Sequence, residues 1–383
     1  MQNSPSSDAR AEHFLLGQAE SPDWEKGAEQ CLQQIGYIPP EANVGFLYVT
    51  DNFAGILNYI LDHFREETGI QDWVGTVGMS ICASGREYHD TSAMTVMLGQ
   101  FPDDSFRILP SIADDPDGPL APLRAWLQQH ASHTAIVHGD PRSANTPELI
   151  TRLGESLPGG FLVGGLTSSR DQDPQIANQV VQGGLSGILF NERVKLLTGI
   201  TQGCSPIAGR HTVTAAEHNI ISRIDDRPAL EVFYEDIGEI LSRDLNRVAG
   251  YVFAGLPQPG SDGDDYLVRN LVGVDTKNQL LAIGDLIQTG QPLLFCRRDG
   301  RSAWEDLERM LEKLKLRLDG LVPRGGVYYS CLGRGQNLFG DNSEELRAIR
   351  STLGDFPLVG FFANGEIHRD RLYGYTGVLT LFL

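Results

Sequence analysis

Positive charge is scarce in this sequence: 31 Lys and Arg stand against 50 Asp and Glu, for a formal charge of −19. A surface of that sign repels phosphate backbones and anionic lipid head groups, so nucleic-acid binding would need a concentrated basic patch. The densest basic stretch, Lys313 to Arg317, alternates with leucine beside Glu308 and Glu312 and reads as the solvated face of a helix. Long apolar runs are missing too. No segment approaches the ~18 consecutive apolar residues that span a bilayer, and MQNSPSSDARAEHF lacks the apolar core of a signal peptide. The expectation is a cytoplasmic protein that inserts into no membrane and binds no nucleic acid.

Cysteine is sparse and unpaired by spacing. Cys31, Cys82, Cys204, Cys296 and Cys331 form no C-x-x-C motif, which fits free thiols in a reducing compartment. Standard catalytic signatures are absent. Gly78-Met79-Ser80-Ile81-Cys82 fails the G-x-S-x-G elbow at its last position, and there is no H-E-x-x-H, P-loop or G-x-G-x-x-G. His130 and His133 are a weak pair at a predicted helix end and read as exposed. Asp262, Asp264 and Asp265 lack the spacing and distal glutamate of an EF-hand, so they read as a solvated loop. An enzyme is not expected; the alternative is a cysteine-dependent one using Cys204 or Cys331.

What the sequence does contain is an internal repeat: strand, helix, strand, glycine-rich turn and a further apolar strand. The first copy starts at VGFLYVT (44–50) and continues through WVGTVGMSICASGRE to TSAMTVMLGQF. The second runs from TAIVHGD (134–140) through GGFLVGGLTSSR to GGLSGILF. The third runs from GGVYYSCLGRG through PLVGFFANGEIH to YGYTGVLTLFL. Between the second and third copies, KLLTGITQG, RHTVT, HNIISRI, YLVRNLVGVD and QPLLFCRR read as antiparallel connecting sheet. Helix starts are predicted at Ser21 with Pro22, at Thr146 with Pro147, at Pro228-Ala229, at Ser302 with Glu305 in capping-box spacing, and at Asn342 or Ser343. The fold class is α/β in the mixed α+β sense. It comprises a disordered tail over 1–12 and two domains, 13–230 and 231–383, with the repeated units and the connecting sheet distributed between them.

Polar chemistry gathers where each repeat turns: Ser80, Ser84 and Arg86; Thr167, Ser168 and Arg170; Asn364, Glu366 and His368. Strand ends of this kind line ligand crevices, although glycine and serine also serve simply to make tight turns. Arg86, Arg170 and Arg334 are the expected anion anchors of a small-molecule pocket. Cys204, in the compact loop GITQGCSPIAGRHTVT, is either a reactive thiol or a buried inert one, with burial the commoner fate.

The stretches VGGLTSS with GGLSGILF, TQGCSPIAGRHTVTAAEHNIISRIDDRPALEVF, and SCLGRGQNLFG with VGFFANGEIHRDRLYGYTGVLTLF resemble the FIST family (F-box and intracellular signal transduction) over roughly residues 40–383. The halves resemble its N-terminal and C-terminal domains, as in a stand-alone prokaryotic member. The resemblance implies a ligand-binding sensory module acting on a separate histidine kinase or cyclic-di-GMP enzyme. The ligand-binding set expected from the residues themselves is Ser80, Ser84, Arg86, Thr167, Ser168, Arg170, Cys204, Cys331, Arg334, Asn364 and Glu366. Similar proteins bind haem and sense nitric oxide, which makes His89 beside Tyr88 and His368 beside Arg369 and Arg371 the haem-ligand candidates.

Overall fold

The computed structural model describes residues 14–242, 250–258 and 266–383. The expected tail over 1–12 and the aspartates 262, 264 and 265 lie outside them. The chain forms two compact units. One contains the residues up to Thr201 together with Leu307–Leu372 and Thr376–Leu383; the other contains Gln202–Asp306 and Tyr373–Tyr375. The class is mixed α and β.

The first unit is built from the three repeats. Copy one runs β1 (Leu15–Glu20), α1 (Trp24–Ile35), β2 (Val44–Thr50), α2 (Leu57–Thr68), β3 (Asp72–Gly78), β4 (Ser80–Ala83), β5 (Arg86–His89) and β6 (Ala93–Gly99). Copy two runs β7 (Phe106–Ile112), α3 (Asp117–Leu120), α4 (Arg124–Gln129), β8 (His133–Gly139), α5 (Thr146–Ser156), β9 (Phe161–Leu166), β10 (Gln175–Ala177), β11 (Val180–Val181) and β12 (Leu185–Asn191).

Copy three begins with β13 (Leu196–Gln202), and the second unit is inserted after it. That unit holds β14 (Cys204–Pro206), β15 (His211–Glu217), β16 (Ile220–Ile224), β17 (Arg227–Pro228), α6 (Ala229–Ser242), β18 (Val252–Pro257), β19 (Tyr266–Asp275), β20 (Leu280–Ile283) and β21 (Pro292–Arg298). Copy three resumes within α7 (Gly300–Leu318) and continues through β22 (Gly325–Cys331), α8 (Gln336–Phe339), α9 (Glu344–Leu353), β23 (Leu358–Ala363), β24 (Glu366–His368), β25 (Arg371–Tyr373) and β26 (Thr376–Phe382).

Each copy pairs its two central strands in parallel, β2 with β3, β8 with β9 and β22 with β23, and flanks them with its last strand. The glycine-rich turns open into short hairpins, and each hairpin leaves its own sheet. Hairpin β4–β5 of copy one pairs with β23 of copy three, β10–β11 of copy two with β3 of copy one, and β24–β25 of copy three with β9 of copy two. The exchange is cyclic, so every copy has one sheet edge covered by another copy and none completes its sheet alone.

The register makes the copies superposable position by position. Gly75, Gly164 and Gly360 lie opposite Leu47, Val137 and Tyr328. A Cβ at these glycines would fall 1.8, 1.8 and 1.7 Å from the facing carbonyl oxygens, so only glycine fits all three. The next residues, Tyr48, His138 and Tyr329, are therefore equivalent. They meet in one buried cluster, where Tyr48 Oη lies 3.0 Å from His138 Nε2 and 2.8 Å from Tyr329 Oη. Burial holds the His138 imidazole down to about 3.

Helix starts differ locally from the sequence reading. Helix α1 is capped by Asp23, whose side chain accepts from Lys26 N, because Ser21 spends its hydroxyl on Asp23 itself. Asp299, not Ser302, opens α7, accepting from Arg301 N and from Ser302 Oγ. Asn145, not Thr146, holds the cap position of α5, whereas Ser343 holds that of α9 as expected. His133 is buried on β8, where a helix end and exposure were expected.

In the second unit β21 pairs with both β15 and β18, closing an antiparallel barrel through β16, β20 and β19. Closure leaves these strands no free edge. Leu230, Phe233 and Ile237 of α6 pack with Val213, Ile224 and Phe295 of the barrel.

Candidate functional site

The strand-end turns of the three copies converge. Thr76 Oγ1 and Thr167 Oγ1 are 2.7 Å apart, and Ser168 accepts from Met79 N at 3.0 Å while donating to Phe362 O at 2.5 Å. One serine thus ties all three copies together. The exposed Asn364 donates its backbone N–H to Leu166 O. Arg170 sits beside this junction, clamped to Asp51 at 2.8 Å and to Asp90 at 3.3 Å.

The chemically densest part of the junction is the end of copy three. Tyr328 and Ser330 alternate onto one face of β22 and donate to the two oxygens of Glu345, at 2.6 and 2.9 Å. Arg334 Nε and Nη2 reach Glu345 Oε1 at 2.8 and 2.6 Å, and Gly335 N reaches Oε2 at 3.3 Å. Arg334 and Glu345 are both fully buried. Such a pair persists only because many charge-assisted bonds offset the loss of hydration.

Glu366 lies at the start of β24, also fully buried, and its Oε2 accepts from Thr376 N and Oγ1 at 3.0 and 2.8 Å. Burial pushes this carboxyl up to about 8 against those hydrogen bonds, the charge of Arg334 and the thiol of Cys331, so at neutral pH it holds its proton. Cys331 is the one half-exposed cysteine of the five.

Hairpin β4–β5, pairing alongside β23, brings three more groups. Ser80 Oγ lies 2.9 Å from His89 Nδ1, and His89 Nε2 lies 2.8 Å from Glu87 Oε2. Burial raises Glu87, its hydrogen bond to His89 offsets part of this, and the charge of Glu345 adds to the rise. Phe362 packs on the imidazole with ring centroids 4.8 Å apart.

The structure brings together Ser80, Thr167, Ser168, Cys331, Arg334, Asn364 and Glu366 of the sequence-derived set, with Arg170 at the margin. It does not bring Ser84 or Arg86. The hairpin register sets Ser80 opposite His89 at one end and Ala83 opposite Arg86 at the other, about 10 Å along the strand. Ser84 there bonds Phe356 O and Leu358 N, while Arg86 is exposed, paired with Glu20 and laid over Tyr88. All three expected anion anchors are thus already paired with carboxylates.

Cys204 belongs to the second unit, where it and Cys296 are buried and Tyr266 Oη donates to the Cys204 carbonyl at 2.7 Å. Cys204 beside it, together with burial, pushes the Cys296 thiol up. Both ring nitrogens of His89 are engaged, and His368 packs edge-on against Phe161 while burial holds it down to about 4.

Glu345, Glu87, Tyr328 and Ser330 escaped the sequence reading. Glu345 was legible only as an acidic residue at a helix start, a place where solvated carboxylates are ordinary. Glu87 carried a usable signal, since Glu87 and His89 alternate on a strand and must share a face.

Two comparisons with known proteins bear on this arrangement. The FIST N domain matches residues 43–227 and the FIST C domain residues 229–369. An uncharacterized protein of Mycobacterium tuberculosis is 30% identical over 81% of this chain and 83% of its own length. An uncharacterized protein of Mycobacterium bovis is 29% identical over 87% of this chain and 88% of its own length.

Proposed function

This chain belongs to the FIST family, whose domains are associated with signal-transduction sensing, and on that premise we propose that it is a small-ligand sensor acting on a separate signalling protein, a histidine kinase or a cyclic-di-GMP enzyme. The observation that carries the reading is the buried polar cradle of Arg334, Glu345 and Glu366 at the convergence of three strand-end turns. Packing alone does not call for three fully buried ionisable side chains; each is expensive to desolvate, and such groups cluster at functional sites. Their connectivity also suits signalling. Arg334 and Glu345 couple the end of β22 to α9, and Glu366 couples β24 to β26 through Thr376. A ligand that takes the place of one of these bonds shifts the balance between two arrangements of the cradle and so changes the surface offered to a partner.

The test is a thermal-shift screen of amino acids and small carboxylates, followed by calorimetric titration against Glu366→Ala. A ligand bound by the wild type and weakened at least tenfold by the substitution supports the reading. Failure of every compound to bind, or affinity indifferent to Glu366, overturns it. Haem receives no support from the histidine geometry, and a haem-supplemented preparation without a Soret band is the expected result.

A further inference from the structure

We propose that Ser80, His89 and Glu87 form an acyl-transfer triad on hairpin β4–β5, which takes small activated acyl donors such as aryl esters and thioesters. Three independent features place these groups together. The hairpin register sets Ser80 directly opposite His89, and Glu87, two residues before His89, lies on the same face of β5. The distances, 2.9 Å from Ser80 Oγ to His89 Nδ1 and 2.8 Å from His89 Nε2 to Glu87 Oε2, join nucleophile, base and orienting carboxylate in one line. All three groups are shielded from bulk water, with the Glu87 side chain 1% exposed, Ser80 8% exposed and the His89 side chain 14% exposed.

The local chain is shaped to present the serine. Gly78 ends β3, and a Cβ there would meet Ser80 O at 2.7 Å and the Phe361 side chain at 3.0 Å, so the backbone bends closely just before Ser80. This is the stretch that fails the G-x-S-x-G pattern only at Cys82. Supporting contacts hold two members from outside the triad: Ser343 Oγ accepts from Glu87 N at 2.9 Å, and Phe362 packs on His89. A serine and histidine paired only to stabilise a hairpin would not require a nearly buried carboxylate on the second ring nitrogen.

With Glu87 accepting from Nε2–H, His89 presents Nδ1 as the acceptor for the Ser80 hydroxyl proton. Ser80 Oγ bonds to the acyl carbon as its proton passes to Nδ1. The bond from the acyl carbon to the leaving oxygen or sulfur then breaks, and the leaving group takes that proton. Water next attacks the Ser80 ester, giving a proton to Nδ1; the carboxylic acid departs, and Ser80 regains its hydrogen. The net reaction is ester or thioester plus water to acid plus alcohol or thiol.

The experiment is stopped-flow reaction of the full chain with p-nitrophenyl acetate, followed by peptide mass spectrometry of protein quenched during the first turnover. The triad predicts a stoichiometric burst of nitrophenolate with the acetyl group on Ser80. His89→Gln should slow acylation roughly 10²–10⁴-fold. Glu87→Gln should lower the acylation rate while leaving half-saturation unchanged, a split that a purely structural carboxylate would not produce. Acetyl groups found only on Cys331 or lysine, or no burst, overturn the proposal. The wild-type mass spectrum decides the question even if Ser80→Ala fails to fold.

Discussion

Glu366→Gln should abolish a loss of stability that builds up as pH rises from about 4.5 to about 8. The folded carboxyl titrates at about 8 against an ordinary 4.5, so between those values the folded protein holds a proton that the unfolded chain releases. Stability from this group is therefore fully present below about pH 4.5 and is lost as pH rises through about 8. At 1.36 kcal/mol per unit, the gap amounts to about 5 kcal/mol. Glutamine is neutral throughout and keeps an acceptor for Thr376, so it mimics the protonated acid. The assay is the melting temperature of both proteins from pH 5 to 9 by circular dichroism. The two should melt close together near pH 5, diverge as pH rises towards 8 and stay apart above it, with the variant roughly 10–20 °C higher by the usual conversion for domains of this size. His138 and His368 titrate with the opposite sign, but they are common to both proteins and cancel in the difference. Parallel curves, or a variant less stable at pH 9, would refute the reasoning.

Further outcomes follow from other parts of the first unit. His138 is held at about 3 when folded, against an ordinary 6.5, so its contribution is present at neutral pH and lost on acidification from 6.5 towards 3; His138→Phe should flatten the fall in melting temperature over that range. Gly164→Ala and Gly360→Ala should each cost at least about 2–3 kcal/mol in urea unfolding, because the new Cβ has no space before the facing carbonyl. Arg334→Ala should cost about 3–5 kcal/mol by leaving Glu345 buried without its cation, and much of that loss should vanish when Glu345→Ala is added. In native protein Cys331 should react with a small disulfide reagent well before Cys31, Cys82, Cys204 and Cys296, which are buried.

Much of the architecture was legible because burial leaves a local signature. The parallel strands VGFLYVT, TAIVHG and VYYSC are continuous apolar runs, as strands covered on both faces must be, and their spacing exposes the threefold repeat directly. The inserted sheet reads differently since antiparallel strands alternate. The hairpin exchange was not legible. Nothing in SICASGREYH distinguishes a hairpin on its own sheet from one on β23, and which edge it covers depends on the arrangement of all three copies. That ambiguity explains why the turn residues were grouped as three local sets. Ser84 and Arg86 share a turn with Ser80 in sequence yet lie at the other end of the hairpin, while Glu345, far along the chain, joins the cradle beside Glu87.

By itself, then, the sequence determined the repeat, the strand and helix types, the family and the polarity of the strand ends, since each depends on residues close along the chain. Tertiary structure alone decided which of those polar groups meet. It paired Arg334 with Glu345, drove Glu366 to hold its proton, and set Ser80, His89 and Glu87 in line. These outcomes depend on desolvation and on distances between distant segments, quantities that come into being only when the three copies exchange their hairpins and close around a common core.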